Sequence, residues 1–372
     1  MGSIRLLFAL AVALYHSYGL VKYDDYMTGG TVSVQAFYII SGFYMAMILS
    51  EKYRPGKGSY RLFITNRFLR IFPPYWACLA IVLIICLVGK YFFNQPFYLW
   101  YWTSQWKNMH WTTVILLLLP NLLLFGSDWL LFSGMNRHTG RLELSSNAFY
   151  QYKPAAFQYL VIPQIWSVGV ELTFYVLAPF ILRAKWFFRL ALLLLSLGLR
   201  YYLEHKHYFI YDPWTYRFFP NELAFFMAGS LAYDVYQRIH YRNISRYLKA
   251  AAWIVVAVVI VFYSRIHLFE ENTQRWYFYV LFLLALPLIF MASKYSRIDR
   301  LIGELSFPVY ISHHFIMFLW RKWFWAHTEH MQWFGIATVL SSLLFAFLLW
   351  RGLLVPLEKI RRRRFERKAA LL

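Results

Sequence analysis

The chain has 372 residues, 60% of them hydrophobic and only 15% charged, with a formal net charge of +21. A soluble domain of this size cannot cover so much apolar surface with so few charges, so soluble architectures are excluded. The positive charge sits in short links between apolar runs (Lys52 to Arg70, Arg183 to Arg189, Arg238 to Lys249, Lys294 to Arg300, Lys359 to Lys368). That distribution marks cytoplasmic links of a membrane protein and argues against nucleic acid as a partner.

Apolar runs predict about ten transmembrane helices, at 5–22, 32–50, 70–89, 165–182, 186–203, 217–236, 250–268, 276–293, 303–320 and 333–356. The expected fold is an all-α polytopic membrane helix bundle with both termini cytoplasmic. Residues 1–358 form one transmembrane domain, and 359–372 a basic cytoplasmic tail whose Arg361 to Arg364 run sits against anionic headgroups.

The first run, Arg5 followed by apolar residues to Leu20, resembles a signal peptide. No small-residue cleavage site follows it, and Tyr15, His16 and Tyr18 interrupt its end, so an uncleaved span is expected. His16 lies eleven residues after Arg5, which puts both on nearly one helix face about 16 Å apart. An imidazole inside a membrane span is a functional-site hypothesis by default; a hydrogen-bonded structural histidine is the alternative.

Next come Gly29-Gly30-Thr31-Val32-Ser33-Val34, Phe37 and Ser41-Gly42-Phe43, whose small residues suit close helix packing. Arg61, Arg67 and Arg70 precede Pro73 and Tyr75. Arg67 and Arg70, three apart, share a helix face and offer guanidinium groups suited to phosphates, or serve only to set topology. Cys78 and Cys86 lie about 12 Å apart along one helix, too far for a disulfide.

Residues 112–126 are apolar but short and broken by Pro120-Asn121, and read as a re-entrant or tilted helix at the outer face. The surrounding stretch, 91–165, is read as extracytoplasmic. It carries Trp100, Tyr101, Trp102, Trp106 and Trp111, an interfacial aromatic belt or a surface for stacking sugar rings.

Trp166-Ser167-Val168-Gly169-Val170-Glu171 leads into Phe174, Tyr175 and Pro179. Glu171, inside a span, needs a partner, and His16 or an arginine are the candidates. Arg217, Glu222 and Gly229 are weaker signals. Near the end, Ser306, Tyr310 and His313 form one polar stripe, packing glue or a proton relay, with His314 turned about 100° away. The chain has no P-loop, nucleotide fingerprint or HExxH, and no metal site is expected.

Taken in order, these patterns resemble the acyltransferase-3 family of integral membrane O-acyltransferases, in its stand-alone form without an appended esterase-like domain. Arg5 and His16 match the family's first span. Gly30, Phe37, Ser41, Gly42 and Phe43 match its second, and Arg67, Arg70, Pro73 and Tyr75 its basic motif. Trp166, Ser167, Glu171, Phe174 and Tyr175 match a Trp-Ser-Leu-x-x-Glu-x-x-Phe-Tyr motif. Arg217, Phe226 and Gly229 match a later span, and Ser306, Phe307, Tyr310 and His313 a C-terminal motif. Val168, Phe307 and Gln35 depart from the pattern; Gln35 stands where an acidic residue is common.

The resemblance implies transfer of an acyl group, usually acetyl, from cytoplasmic acyl-CoA to a hydroxyl of an extracytoplasmic or lipid-linked glycan, in a bacterial inner membrane. Acyl-CoA is then a donor substrate, and no tightly bound cofactor is expected; the partners are the bilayer, the donor and the glycan. His16 is the expected base and Glu171 orients or charges a catalytic histidine, with His313 completing the relay. Arg67 and Arg70 would hold the donor phosphates, and Arg5 the phosphopantetheine arm or Glu171. Ser41, Trp166, Tyr175, Arg217, Ser306 and Tyr310 would line the substrate channel. The alternative is a transporter or flippase of a lipid-linked sugar, which inverted repeats would favour.

Overall fold

A computed structural model describes residues 1–19, 27–56, 58–205 and 212–369. The helices are α1 (Gly2–His16), α2 (Gly29–Glu51), α3 (Ser59–Phe93), α4 (Trp100–Gln105), α5 (Trp111–Leu123), α6 (Ala148–Gln151), α7 (Trp166–Ile181) and α8 (Trp186–Glu204). They continue as α9 (Phe219–Ile239), α10 (Arg246–Phe262), α11 (Glu271–Ser293), α12 (Arg297–Glu304), α13 (Ser306–Ala326), α14 (Phe334–Leu349) and α15 (Val355–Ala369). A π-helical turn, Trp350–Leu354, joins α14 to α15. The architecture is an all-α polytopic bundle with one small antiparallel hairpin, β1 (Ser133–Met135) and β2 (Leu142–Leu144), in register Gly134 opposite Glu143.

Among the described residues, seven helical stretches are long and apolar enough to cross a membrane: α2, α3, α7, α8, α10, α11 and the run from α14 into α15. Three expected spans differ. Helices α9 and α13 have 21 residues each, long enough, but carry Glu222, Asp234 and Arg238, or His313, His314 and Arg321. The first span was expected over 5–22, whereas α1 has 15 residues, about 22 Å, short of the ~30 Å hydrocarbon core. Its stop is a Schellman turn: Tyr18 takes φ 63°, and the Gly19 amide donates to the Leu14 carbonyl at 2.8 Å. Residues 20–22 of the expected span lie outside the described residues.

The chain divides into two compact units. The first comprises Met1–Asn66, Ala178–Leu193 and Phe225–Leu372. Within it α1 contacts α2, α10, α12, α13 and α14, and buries Ile4, Phe8, Ala9, Ala11, Val12, Ala13 and Leu14. A helix apolar almost all round is a core helix, and its neighbours supply the walls. Phe8 meets Phe37, Phe278 and Phe282 edge-on, with centroids 6.0, 6.2 and 5.5 Å away. At its start, the amides of Gly2 and Ser3 donate to the Asp299 carboxylate at 2.7 and 2.9 Å, and the Ser3 hydroxyl at 2.7 Å. An anion on those amides satisfies donors that no helical carbonyl can reach and complements the helix dipole.

Helices α2 and α9 approach backbone to backbone. A Cβ on Gly42 would lie 1.9 Å from the Phe226 carbonyl oxygen, and one on Gly229 1.9 Å from that of Ile39. Tyr38 stacks on Phe226 beside this crossing at 4.7 Å. The Gln35 side chain is buried and accepts from the Tyr279 hydroxyl.

The second unit comprises Arg67–Leu177 and Leu194–Ala224. Its short apolar helix α5 runs unbroken through Pro120-Asn121 to Leu123, against the expected break, because Pro120 only removes one amide donor, and Asn121 is a fastening point. Asn121 accepts from the Tyr75 hydroxyl at its carbonyl (2.5 Å) and from the Val161 amide at its side-chain oxygen (2.8 Å). Its side-chain amide donates to the carbonyls of Leu117 and Tyr159 at 2.9 and 3.1 Å. Arg200 and Glu222 form a buried pair at 2.6 Å between α8 and α9.

The glycine crossing generates a stability prediction. Gly229→Ala forces a methyl group into the Ile39 carbonyl, so a loss of about 1–3 kcal/mol is expected. A Cβ on Gly198, in α8, would meet nothing within 4 Å, so Gly198→Ala is expected to be neutral or stabilising by up to about 1 kcal/mol. Thermal melting of the two purified variants in one detergent measures the contrast.

Candidate active site

The first unit brings three imidazoles together. His16 is the last residue of α1, and His313 and His314 lie on α13, which packs against it. Ring centroids are 5.2 Å apart for His16 and His313, 4.5 Å for His16 and His314, and 5.1 Å for His313 and His314. His16 Nδ1 lies 2.9 Å from the Val12 carbonyl and His313 Nδ1 2.7 Å from that of Tyr310. A carbonyl only accepts, so in both rings Nδ1 carries the proton and Nε2 is the basic nitrogen. His313 is fully buried, and among the described residues its Nε2 has no hydrogen-bond partner. His16 and His314 are half-buried.

Sequence reasoning placed His314 about 100° away from the polar stripe and gave it no role. The structure adds a contact to that reading. The end of α1 meets α13 between the two side chains, so both rings face His16. Tyr310 is buried with its ring 5.9 Å from His313, as the stripe requires, whereas the Ser306 hydroxyl donates to the Gly303 carbonyl at 2.7 Å. Ser41 is buried in α2, one residue before the glycine crossing. Arg5 is half-buried, one turn into α1 and about 16 Å along it from His16.

The second unit holds the other candidates. Glu171 accepts from the hydroxyl of Tyr175, one turn further along α7. The Arg67 guanidinium lies 6.0 Å from the centre of the Tyr175 ring, at the outer limit of a cation–π contact. Arg70 is half-buried, three residues after Arg67 on α3. Arg217 lies over Trp166 at 4.4 Å, with Tyr216 at 5.2 Å and Phe149 at 5.7 Å. Its Nε donates to both oxygens of Asp212, at 2.9 and 2.8 Å. Burial raises the Asp212 carboxyl above its ordinary range, although Arg217 pulls it down. The sequence singled out Arg217 and Trp166 separately; Asp212 and Phe149 were missed, because only the folded loop brings them to that guanidinium.

A further carboxyl, Asp128, was not singled out. It is 4% exposed, packs against Gly169 of the Trp166–Glu171 motif, and its Oδ1 has no hydrogen-bond partner among the described residues. A Cβ on Gly169 would lie 3.0 Å from that oxygen and 2.5 Å from the Ser127 hydroxyl. Burial pushes the Asp128 carboxyl up to about 6, against the smaller downward pull of its own and the Trp129 amides.

A family model described as an acyltransferase domain, that of acyltransferase-3, matches residues 2–351. The fold and this match define a multi-pass integral membrane acyltransferase. The chain belongs to the acyltransferase-3 family. Comparison with curated proteins and with solved structures gives no match.

Asp128 carries a pH prediction. The folded carboxyl titrates near 6 and the unfolded one near 3.8, so the folded state holds more protons between these values. Stability therefore falls as pH rises through this window, by up to about 3 kcal/mol, and stays at the lower level above it. Asp128→Asn lacks the charge, so its melting temperature is expected to exceed that of the parent at pH 7.5 and to approach it near pH 4.

Proposed function

We propose that this protein moves an acyl group, acetyl in particular, from cytoplasmic acyl-CoA to a hydroxyl of an extracytoplasmic or lipid-linked glycan. The observation that carries the reading is the His16 imidazole, in the family's first-span position, with its Nδ1 proton on the Val12 carbonyl. Its Nε2 is thereby the nitrogen able to take a proton. An alcohol is a poor nucleophile at neutral pH and needs a base as it attacks. The acceptor proton passes to His16 Nε2 as the oxygen bonds to the thioester carbonyl carbon. The C–S bond then breaks, and coenzyme A leaves as a thiolate that regains the proton. No ATP is required, because the thioester is already activated.

His313, with its ring against His16, extends the relay. Backbone carbonyls fix the tautomers of both rings, so Glu171 is assigned a positioning role: it holds Tyr175, over which Arg67 lies. Arg67 and Arg70 grip the phosphates of the donor, as planar guanidinium pairs do. Arg5 contacts the phosphopantetheine arm. Arg217, Trp166 and their aromatic neighbours receive the sugar, since ring faces and a guanidinium suit stacking and hydroxyl recognition. Ser41 and Tyr310 line the path. The bacterial inner membrane is the proposed location, in keeping with the basic links.

Purified protein, radiolabelled acetyl-CoA and a glycan acceptor test the reading. Label is expected on the glycan, and His16→Ala is expected to lower the rate about 10²–10⁴-fold at unchanged expression. Arg67→Ala with Arg70→Ala should raise KM for the donor far more than it lowers kcat. Full transfer by His16→Ala would overturn the assignment, and glycan crossing vesicles without label would point to a transporter instead.

A further inference from the structure

One group of three metal-ligating side chains converges among the described residues: His16, His313 and His314, with one ring nitrogen of each within 4.8 Å of the other two. We infer that these imidazoles form a binding site for a divalent transition ion of the zinc class.

Four observations support it. His313 is fully buried, and its Nε2 has no hydrogen-bond partner among the described residues, so a basic nitrogen is held in an apolar setting where an ion would satisfy it. The Nδ1 protons of His16 and His313 are on backbone carbonyls, the outer-shell arrangement that orients a ligating imidazole through its other nitrogen. The donor set is all nitrogen with no carboxylate, which favours zinc, cobalt, nickel or copper and disfavours magnesium and calcium. The spacing is also near the requirement. Nitrogens about 2.0–2.1 Å from a tetrahedral ion sit about 3.4 Å apart, so no pair needs to close by more than about 1.4 Å, a side-chain rotation rather than a helix movement.

The site has a consequence that rests on the catalytic reading of His16. A lone pair bound to a metal cannot accept a proton, so the ion and the base compete for one nitrogen. Zinc therefore inhibits acyl transfer, and a chelator restores it.

The full chain, stripped with EDTA in detergent, is titrated with Co²⁺ followed by its d–d absorption, and with Zn²⁺ followed by equilibrium dialysis. One equivalent is expected to bind, with the absorption of a tetrahedral nitrogen site. His313→Gln and His314→Gln, both checked for an unchanged melting temperature before metal is added, are expected to weaken binding at least ~10-fold. Absence of bound metal, or the same affinity after both substitutions, overturns the site. In the transfer assay, added Zn²⁺ is expected to suppress the rate and EDTA to restore it; a rate that EDTA lowers overturns the inhibitory sense. Lack of transfer both with and without metal would count against the proposed function alone, because the binding titration reads the site without it.

Discussion

The grip of Asp299 on the start of α1 sets where everything in the first unit falls. The carboxylate accepts from the amides of Gly2 and Ser3, so the helix cannot slide along its axis without leaving an anion and two part-buried amides unmatched. At the other end, the Schellman turn stops the helix directly after His16. Between these two points lie fifteen residues of helix, about 22 Å, walled by α2, α10, α12, α13 and α14. The position of one imidazole is therefore fixed by a capped start, a fixed length and a forced stop, and α13 needs only to present its side chains at that height.

Polar groups in such a chain fall into two kinds. Several are matched where they stand: Arg200 is paired with Glu222 and Arg189 with Asp234, while Gln35 and Glu171 accept hydrogen bonds from Tyr279 and Tyr175. In a low-dielectric interior these arrangements keep the helices in one register more than they add net stability. Some buried groups outside these pairs lack such a bond. His313 Nε2 and Asp128 Oδ1 are buried with no hydrogen-bond partner among the described residues. Groups left that way tend to occur where chemistry or ligand binding requires them.

Apolar periodicity sufficed for the long helices, because a twenty-residue run in lipid has no competing structure. It failed at the first helix, where nothing in residues 17–19 forbids another helical turn but Tyr18 turns left-handed. It also failed at the hairpin, whose three-residue strands are too short to show alternation. The family motifs made His16, His313, Glu171 and Arg217 legible. His314 stayed hidden because angular separation on an ideal helix ignores where the end of a second helix meets it. Asp212 and Asp128 stayed hidden for a related reason: each sits in irregular chain, and its significance lies in a residue away from it in sequence. The proline beside Asn121 reads as a break in the sequence, whereas the helix runs through it and Asn121, by its backbone carbonyl and its side chain, ties α5 to α3 and to the 159–161 segment.

The π-helical turn at Trp350–Leu354 has a bearing on kinship. Such a turn holds one residue more than regular winding, so it behaves as a single-residue insertion accommodated inside a continuous rod. The family match ends at residue 351, within this turn. The matched span thus ends in an over-wide coil. Related chains that lack the extra residue would aim their terminal arginines about a quarter-turn differently, while leaving every upstream helix in place.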